Sequence, residues 1–518
     1  MEIFLPDGFP QLDSQILATF EPALTEFIEL WRSRIIENCC HFMDLEMAAR
    51  NALRPLEQWV VASILADPEV LMAIEQQADL FRKENHLRKG YEAKREVQFL
   101  SGLKAEIKSW YCTPQRSSLP KQGRPRGQGK RKGEGLGAYP AMGLLGIHEG
   151  TSHSLRSEVS RLAVLLPSLE QARGELERDG LSLDIKTVHR ITHETGLFVM
   201  NQRRHWLSSW RNKELPRGTD LFGKRVAVAI DGGRVRVRSY SPQGRKTKFG
   251  RRKYQTPWRE PKLFIIYVIG KDGRQDPAFK PFVDGTIHGP DALAELLAMH
   301  LFRLGAKDVT EGVFLGDGAE WIWNRVPWII ENAGLNQEHW KCALDLCHVM
   351  QHVSSALDAI FGDNKTVKKC QRTRLKRLLK KEKTDDCLAY LRKHSEKGEM
   401  VLSAIAYIEC RVNLMKYDAM IRLGLPIGSG AIESSIRRVI NQRLKAPGTF
   451  WLEENVDPML YMRAQALTGR WEEMMLYANC VARVDRKRNV IIDTAPTILK
   501  PDIGLLFQKK SCVSDVAA

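Results

Sequence analysis

Long apolar runs are missing from this chain. A membrane-spanning helix needs roughly 20 predominantly apolar residues, and the longest such stretch, LFIIYVIG at 263–270, is far shorter. Cysteine is scarce and irregular, ten in 518 residues with only Cys39 and Cys40 adjacent. That excludes a disulfide scaffold and fits a reducing cytoplasm. The opening MEIFLPDGFPQ lacks the charged start and apolar core of a signal peptide, so secretion is not expected. No self-similarity recurs at solenoid periods.

What the chain does have is positive charge. Lys and Arg total 79 against 62 Asp and Glu, a net of +17, with a pI near 9.4. Within residues 1–110 acids outnumber bases, so the excess lies beyond them. Such a balance points to a polyanionic partner for the later regions. With 43% hydrophobic residues, globular cores are expected and disorder is not.

The chain divides by its grammar. Residues 1–110 read as a helical module, with EPALTEFIELWRSRIIENC carrying apolar positions at three- and four-residue spacing. It closes on VQFLSGLKAEIKSWYC, a short hairpin or ribbon. Residues 111–137 are a basic Gly/Pro-rich linker or degenerate ribbon. Residues 138–218 suggest a helix-turn-helix-like DNA-binding domain of three short helices, SHSLRSEVSRLAVLL, SLEQARGELERDG and SLDIKTVHRITHETG. The third would present Lys186, His189 and Arg190 to DNA, although trihelical packing without DNA contact is also common.

From 219 to 361 the pattern changes to strands. GKRVAVAIDGGRVRVRSY reads as a strand, a DGG turn and a second alternating stretch, followed by the basic loop GRKTKFGRRK and the strand KLFIIYVIG. PFVDGTI adds a shorter strand, DALAELLAMHLFRLGA a helix, and VTEGVFLGDGAEWIW and WKCALDLCHVMQHV two strands that each pass into a helix. The order β, β, β, α, β, α, β, α is that of an α/β RNase H-like catalytic core, a mixed sheet flanked by helices. Residues 362–423 form a helical insertion, 424–485 the closing helices of the core, and 486–518 a C-terminal tail.

Three acids carry the chemistry. Asp231 ends the first strand, Asp317 ends the strand after the first core helix, and Glu433 lies early on a late helix. Each alone has an ordinary reading as a turn or capping residue. Jointly they would converge at one end of the sheet, where clustered carboxylates suit Mg2+ or Mn2+. Two such ions would serve an in-line phosphoryl displacement. Gly232, Gly233, Gly316 and Gly318 would leave room for metals and DNA. Arg234, Arg236 and Arg238, then Lys246, Lys248, Arg251, Arg252 and Lys253, could neutralise phosphates, or form a solvated charged hairpin. Arg437, one turn beyond Glu433, could hold its carboxylate or contact scissile DNA. Trp321, Trp323 and Trp451 could stack on unpaired bases, though core packing is the commoner use of tryptophan.

In AIDGGRVRVR, FLGDGAEWIW, LDLCHVMQHV and PIGSGAIESSIRRVINQRLKAPGTFWLEENVDPMLYMRAQALTGRW, the chain resembles the DDE transposases of bacterial insertion sequences. The likeness covers roughly residues 138–473 and is strongest to the Kra-type branch related to the Lre-type elements. The resemblance implies a catalytic triad of Asp231, Asp317 and Glu433, and a helical insertion like that of hAT and Mutator transposases. Those relatives also carry a C/D-x-x-H motif, matched here by Asp345-Leu-Cys-His348, which implies that Asp345 and His348 support the active site. Cys342, Cys347, His348 and His352 offer a rival structural zinc site, disfavoured because strand residues five apart point to opposite faces. Only Cys112 stands where many relatives place a Cys-x-x-Cys ribbon. The expected function is a transposase that binds terminal inverted repeats, cleaves element ends and joins the 3′-hydroxyls to target DNA. The expected setting is the cytoplasm, associated with the nucleoid, with a homo-oligomer in the synaptic complex. An RNase H-like nuclease or resolvase, or a non-catalytic DNA-binding protein derived from a transposase, are the alternatives.

Overall fold

A computed structural model describes residues 1–6, 9, 16–39, 42–114, 138–240 and 253–476. They fall into two compact units, one holding Met1–Phe198 and the other Val199–Met474.

The first unit opens with β1 (Glu2–Phe4), α1 (Ile16–Glu37), α2 (Phe42–Ala66) and α3 (Pro68–Glu84). Asp67 starts α3 by accepting from the amides of Glu69 and Val70 at 2.8 and 3.0 Å, with Pro68 at the first helical position. A long antiparallel hairpin follows, β2 (Leu87–Gln98) and β3 (Lys104–Pro114), and β1 joins it in the order β1-β3-β2. The sequence predicted only a short ribbon at the end of a helical module. The hairpin instead begins at Leu87 and runs through position 110, because LRKGYEAKREVQ is almost wholly exposed. A strand with so few buried side chains has no apolar alternation to betray it.

After β3 come α4 (Pro140–Leu144), α5 (His153–Leu165), α6 (Leu169–Arg178) and α7 (Ile185–Arg211). Ser152 and Ser168 cap α5 and α6 by accepting from the amides of Leu155 and Gln171. Leu155, Val159, Ala163, Leu176, Val188 and Ile191 close a common core. The third helix was expected to stop at Gly196, but α7 continues through it to Arg211. The apolar spacing carries on through the buried Phe198, Val199 and Met200, and packing offsets the cost of one interior glycine, roughly 1 kcal/mol.

The second unit takes the rest of α7 and is built on a five-stranded mixed sheet. Its strands are β4 (Arg225–Gly232), β9 (Lys262–Val268), β10 (Phe282–Thr286), β11 (Glu311–Gly316) and β12 (Trp340–Leu344), in the order β10-β9-β4-β11-β12. β10, β9 and β4 pair antiparallel, and β4, β11 and β12 pair parallel. Nearly every side chain of β4, β9, β10 and β11 is buried, as a sheet covered on both faces requires.

The helices of this unit are α8 (Pro290–Arg303), α9 (Glu320–Trp323), α10 (Val326–Asn332), α11 (Leu346–Phe361), α12 (Lys365–Lys380), α13 (Thr384–Arg392), α14 (Glu399–Glu409), α15 (Tyr417–Arg422), α16 (Gly430–Ile436) and α17 (Val456–Leu467). A π-helical segment, Arg437–Leu444, extends α16.

The alternating stretch after Asp231 was expected to be the second sheet strand. It leaves the sheet instead and pairs in two-residue rungs: β5 (Val235–Arg236) with β8 (Trp258–Arg259), and β6 (Ser239–Tyr240) with β7 (Tyr254–Gln255). Pro257 and Pro261 explain the broken ladder, since neither can donate an amide hydrogen. Their carbonyls do accept, from Val237 and Gly233 at 3.1 and 2.8 Å. No helix among the described residues is long and apolar enough to cross a membrane.

Candidate active site

The parallel register fixes where the acids stand. Ile230 pairs with Gly316, and Gly316 with Leu344, so Asp231, Asp317 and Asp345 follow side by side at the carboxyl ends of β4, β11 and β12. Crevices outside the carboxyl ends of parallel strands are the usual ligand sites of open α/β sheets. Glu433 is on α16, which packs on β4 and β9.

Asp231 accepts from the Gly232 amide at 2.6 Å and Asp317 from the Ala319 amide at 2.9 Å, each through a single oxygen. Burial, with the neighbouring charges of Asp317 and Glu433, pushes the Asp231 carboxyl up to about 6 against the pull of the Gly232 amide and His348. Among the described residues none of Asp231, Asp317 and Glu433 forms an ion pair with Lys or Arg. Carboxylates with open oxygens are the donor set of a hard divalent cation, but among the described residues the group whose ligand atoms all come within metal-bridging reach of one another is Asp345, His348 and Glu433, without Asp231 or Asp317.

Asp345 is different. Fully buried, it caps α11 and uses both oxygens: Oδ1 accepts from the amides of Cys347 (2.9 Å) and Ser429 (3.1 Å), Oδ2 from His348 Nδ1 (2.6 Å) and Ser429 Oγ (2.9 Å). Burial would raise its carboxyl, but these bonds hold it below the usual range. The same contact with Asp345 raises the His348 imidazole against its own burial, with help from the charges of Asp317 and Asp231. Ligand atoms of Asp345, His348 and Glu433 lie within 4.8 Å of one another. With its lone pairs engaged, Asp345 orients His348 and leaves Nε2 as the available ring atom.

Ser429 was not singled out from the sequence, although it lies in the quoted PIGSGAIESS block. Its Oγ is also 3.4 Å from Glu433 Oε1, so one hydroxyl links Asp345 to Glu433. Two further residues, Tyr407 and Arg411, were missed because they lie within the helical insertion, far in sequence from the acids. Arg411 Nε donates to the Gly318 carbonyl at 2.9 Å and stacks on Tyr407, whose ring lies 3.8 Å from that of His352. Burial, with Asp317 nearby, pushes the Tyr407 hydroxyl up to about 12.

The glycines do a different task from the one expected. A Cβ on Gly232 would meet Glu260 at 2.3 Å, on Gly233 Ile440 at 2.4 Å, on Gly316 Ile322 at 3.0 Å, and on Gly318 Arg411 at 2.3 Å. Each thus makes room for a neighbouring protein side chain. Arg437 is exposed and makes no ion pair with Glu433. Trp323 is buried and donates to the Asp317 carbonyl at 2.7 Å, Trp451 donates to the Leu444 carbonyl at 2.9 Å, and Lys262 lies 4.3 Å over Trp321. Trp323 and Trp451 therefore spend their indole N–H groups within the protein.

Cys342 is in β12, its thiol pushed up to about 12 by burial, while Cys347 and His352 lie on α11. Lys186 is exposed on α7, and Arg190 pairs with Glu194 at 3.2 Å. Arg234 and Arg236 are exposed, Arg238 is half-buried, and Lys253 is exposed. Lys246, Lys248, Arg251 and Arg252 lie outside the described residues.

No protein-family model matches the chain, and no curated protein does. Among solved structures, a Drosophila P element transposase strand transfer complex aligns with 62% of this chain and 80% of its own at 14% identity, with a TM-score of 0.23. A likeness that low carries no argument for either fold or function.

Proposed function

We propose that this chain is a DDE transposase of a bacterial insertion sequence, built on an RNase H-like core, that cleaves element ends and joins the 3′-hydroxyls to target DNA. The observation that supports this reading is that Asp231 and Asp317 follow the carboxyl ends of neighbouring parallel strands with the charge of Glu433 acting on Asp231, and that among the described residues none of the three pairs with a Lys or Arg. In this reading the three acids hold two Mg2+ (or Mn2+) ions, which when bound activate a water or a 3′-hydroxyl and stabilise the leaving oxygen. Asp345 fixes the tautomer and direction of His348, whose raised affinity for a proton suits it to hold a phosphate oxygen. Ser429 ties Asp345 to the start of α16 and so sets the place of Glu433. Double-stranded DNA, as element ends and target, is the partner. Pairing two ends calls for at least two copies in one assembly.

A strand-transfer assay with labelled element ends and divalent metal tests the reading. The wild-type chain should yield joined products, and Asp231→Asn, Asp317→Asn or Glu433→Gln should each lower product by at least about a hundredfold while leaving end binding intact. Cut but unjoined ends in the wild type would instead indicate a nuclease, and bound but uncut ends a DNA-binding protein.

A further inference from the structure

The hairpin that leaves the sheet just beyond Asp231 carries groups the carboxylates do not use. Trp258 on β8 is 48% exposed, although tryptophan is usually largely buried. Tyr240 and Tyr254 on the next rung are also exposed, their rings 5.8 Å apart. Cations accompany these rings: the Arg236 guanidinium lies 4.7 Å and the Lys445 ammonium 5.9 Å from the Trp258 ring centre, and Arg238 lies 5.0 Å from that of Tyr254.

Trp258, Arg236 and Lys445 also wall a cavity of about 170 Å³, closed by the turn at 446–450. The turn is held by the Thr449 amide, which donates to the Ala446 carbonyl at 3.1 Å, with Pro447 and a left-handed Gly448 (φ 72°) at its centre. Among the described residues no acid lines the cavity. A space of roughly 150 Å³ accommodates a benzene-sized ring.

An indole face, two cations and a ring-sized space without acids make a site for a planar, anionic ligand. Duplex DNA hides the faces of its bases and cannot use the indole, whereas a single strand presents both base face and phosphate. We propose that this cavity is a subsite for one unpaired nucleotide of a DNA strand, its base stacked on Trp258 and its phosphate held by Arg236 and Lys445. The inference rests on the reading of DNA as substrate. The cavity's place on the β5–β8 rungs, directly after the strand that ends in Asp231, suits a strand that has been cut or melted at the carboxylates.

Full-length protein should be titrated by fluorescence anisotropy against a labelled blunt duplex and the same duplex with a short single-stranded overhang. The wild type should prefer the overhang by about tenfold. Trp258→Ala should remove that preference and leave blunt-duplex affinity unchanged, and Trp258→Phe should keep most of it. Equal weakening of both probes by Trp258→Ala, or a preference that survives it, overturns the subsite. Wild-type protein that binds neither probe overturns the DNA reading as well. Should Trp258→Ala fail to fold, a 5-iodouracil in the overhang decides with the wild-type chain: photocrosslinking at Trp258 upholds the subsite, and crosslinking only elsewhere overturns it.

Discussion

His300 is buried with no exposure, its Nε2 3.2 Å from Asp284 Oδ2 and its Nδ1 3.5 Å from the Arg303 guanidinium. Since Arg303 can only donate, Nδ1 accepts, and the proton of the neutral ring sits on Nε2, facing Asp284. Burial, with the cations Arg303 and Arg203, lowers the imidazole to about 4 despite the pull of Asp284. Arg203 in turn joins Asp284 at 2.9 Å to Asp457 at 2.7 Å. The unfolded chain protonates His300 near its ordinary value of 6.5 while the native chain refuses that proton. Stability from this group is therefore complete above about pH 6.5 and falls as pH drops toward 4, by ~3 kcal/mol. Urea melts across this range should show a shallower acid loss for His300→Gln than for the wild type, whatever the variant costs at neutrality. An identical pH slope in both would assign the loss to other groups. Nothing in the sequence marked this network, because Asp284 and Asp457 lie 81 and 254 residues from Arg203, and one of two adjacent arginines in NQRRHW reads as surface.

At the scale of elements, what was legible followed from burial. The strands that lead to Asp231 and Asp317 have apolar cores, VAVAI and VFL, and run into Asp-Gly, so both their existence and their ends could be read. The β2 arm of the hairpin, mostly exposed, could not, whereas the alternation of β3 could. Where α7 ends also escaped, because a single glycine is a weak stop when the packing beyond it is good. The surface of α7 yields a test of whether it meets DNA. Lys186 is exposed, whereas Arg190 is engaged by Glu194, whose own carboxyl is raised by burial. If this helix faces phosphates, Lys186→Ala should weaken duplex binding and flatten the plot of log affinity against log salt by about 0.9. Glu194→Gln, which frees Arg190, should strengthen binding at low salt by a few-fold. Two variants with unaltered salt plots would mean that α7 packs without touching DNA.

Across the whole molecule, the backbone links between the β2–β3 hairpin and the helices that follow it were the least legible feature. Within the first compact unit, which runs to Phe198, Gln98 pairs with Thr151 and Cys112 with Ala138, and an ion pair of 2.6 Å joins Arg50 to Asp179. Composition alone separates an acidic region from a basic one and is silent about links made by a few backbone bonds. The charge balance itself is a property of the sequence and supports a further expectation. The positive excess lies beyond residue 110, and its densest block is 245–253, which has six Lys or Arg and no acid. In the sequence that block comes shortly after the strand ending in Asp231, and on the proposed reading it is expected to grip DNA backbone. Contacts to phosphate position a duplex but carry no base information. Replacing Arg251, Arg252 and Lys253 together by Ala should weaken binding to element ends and to random duplex by similar factors. It should also flatten the salt plot for both by about 0.9 for each phosphate no longer neutralised. A triple variant whose salt slope matches the wild type on both duplexes would show these charges to be solvated and idle.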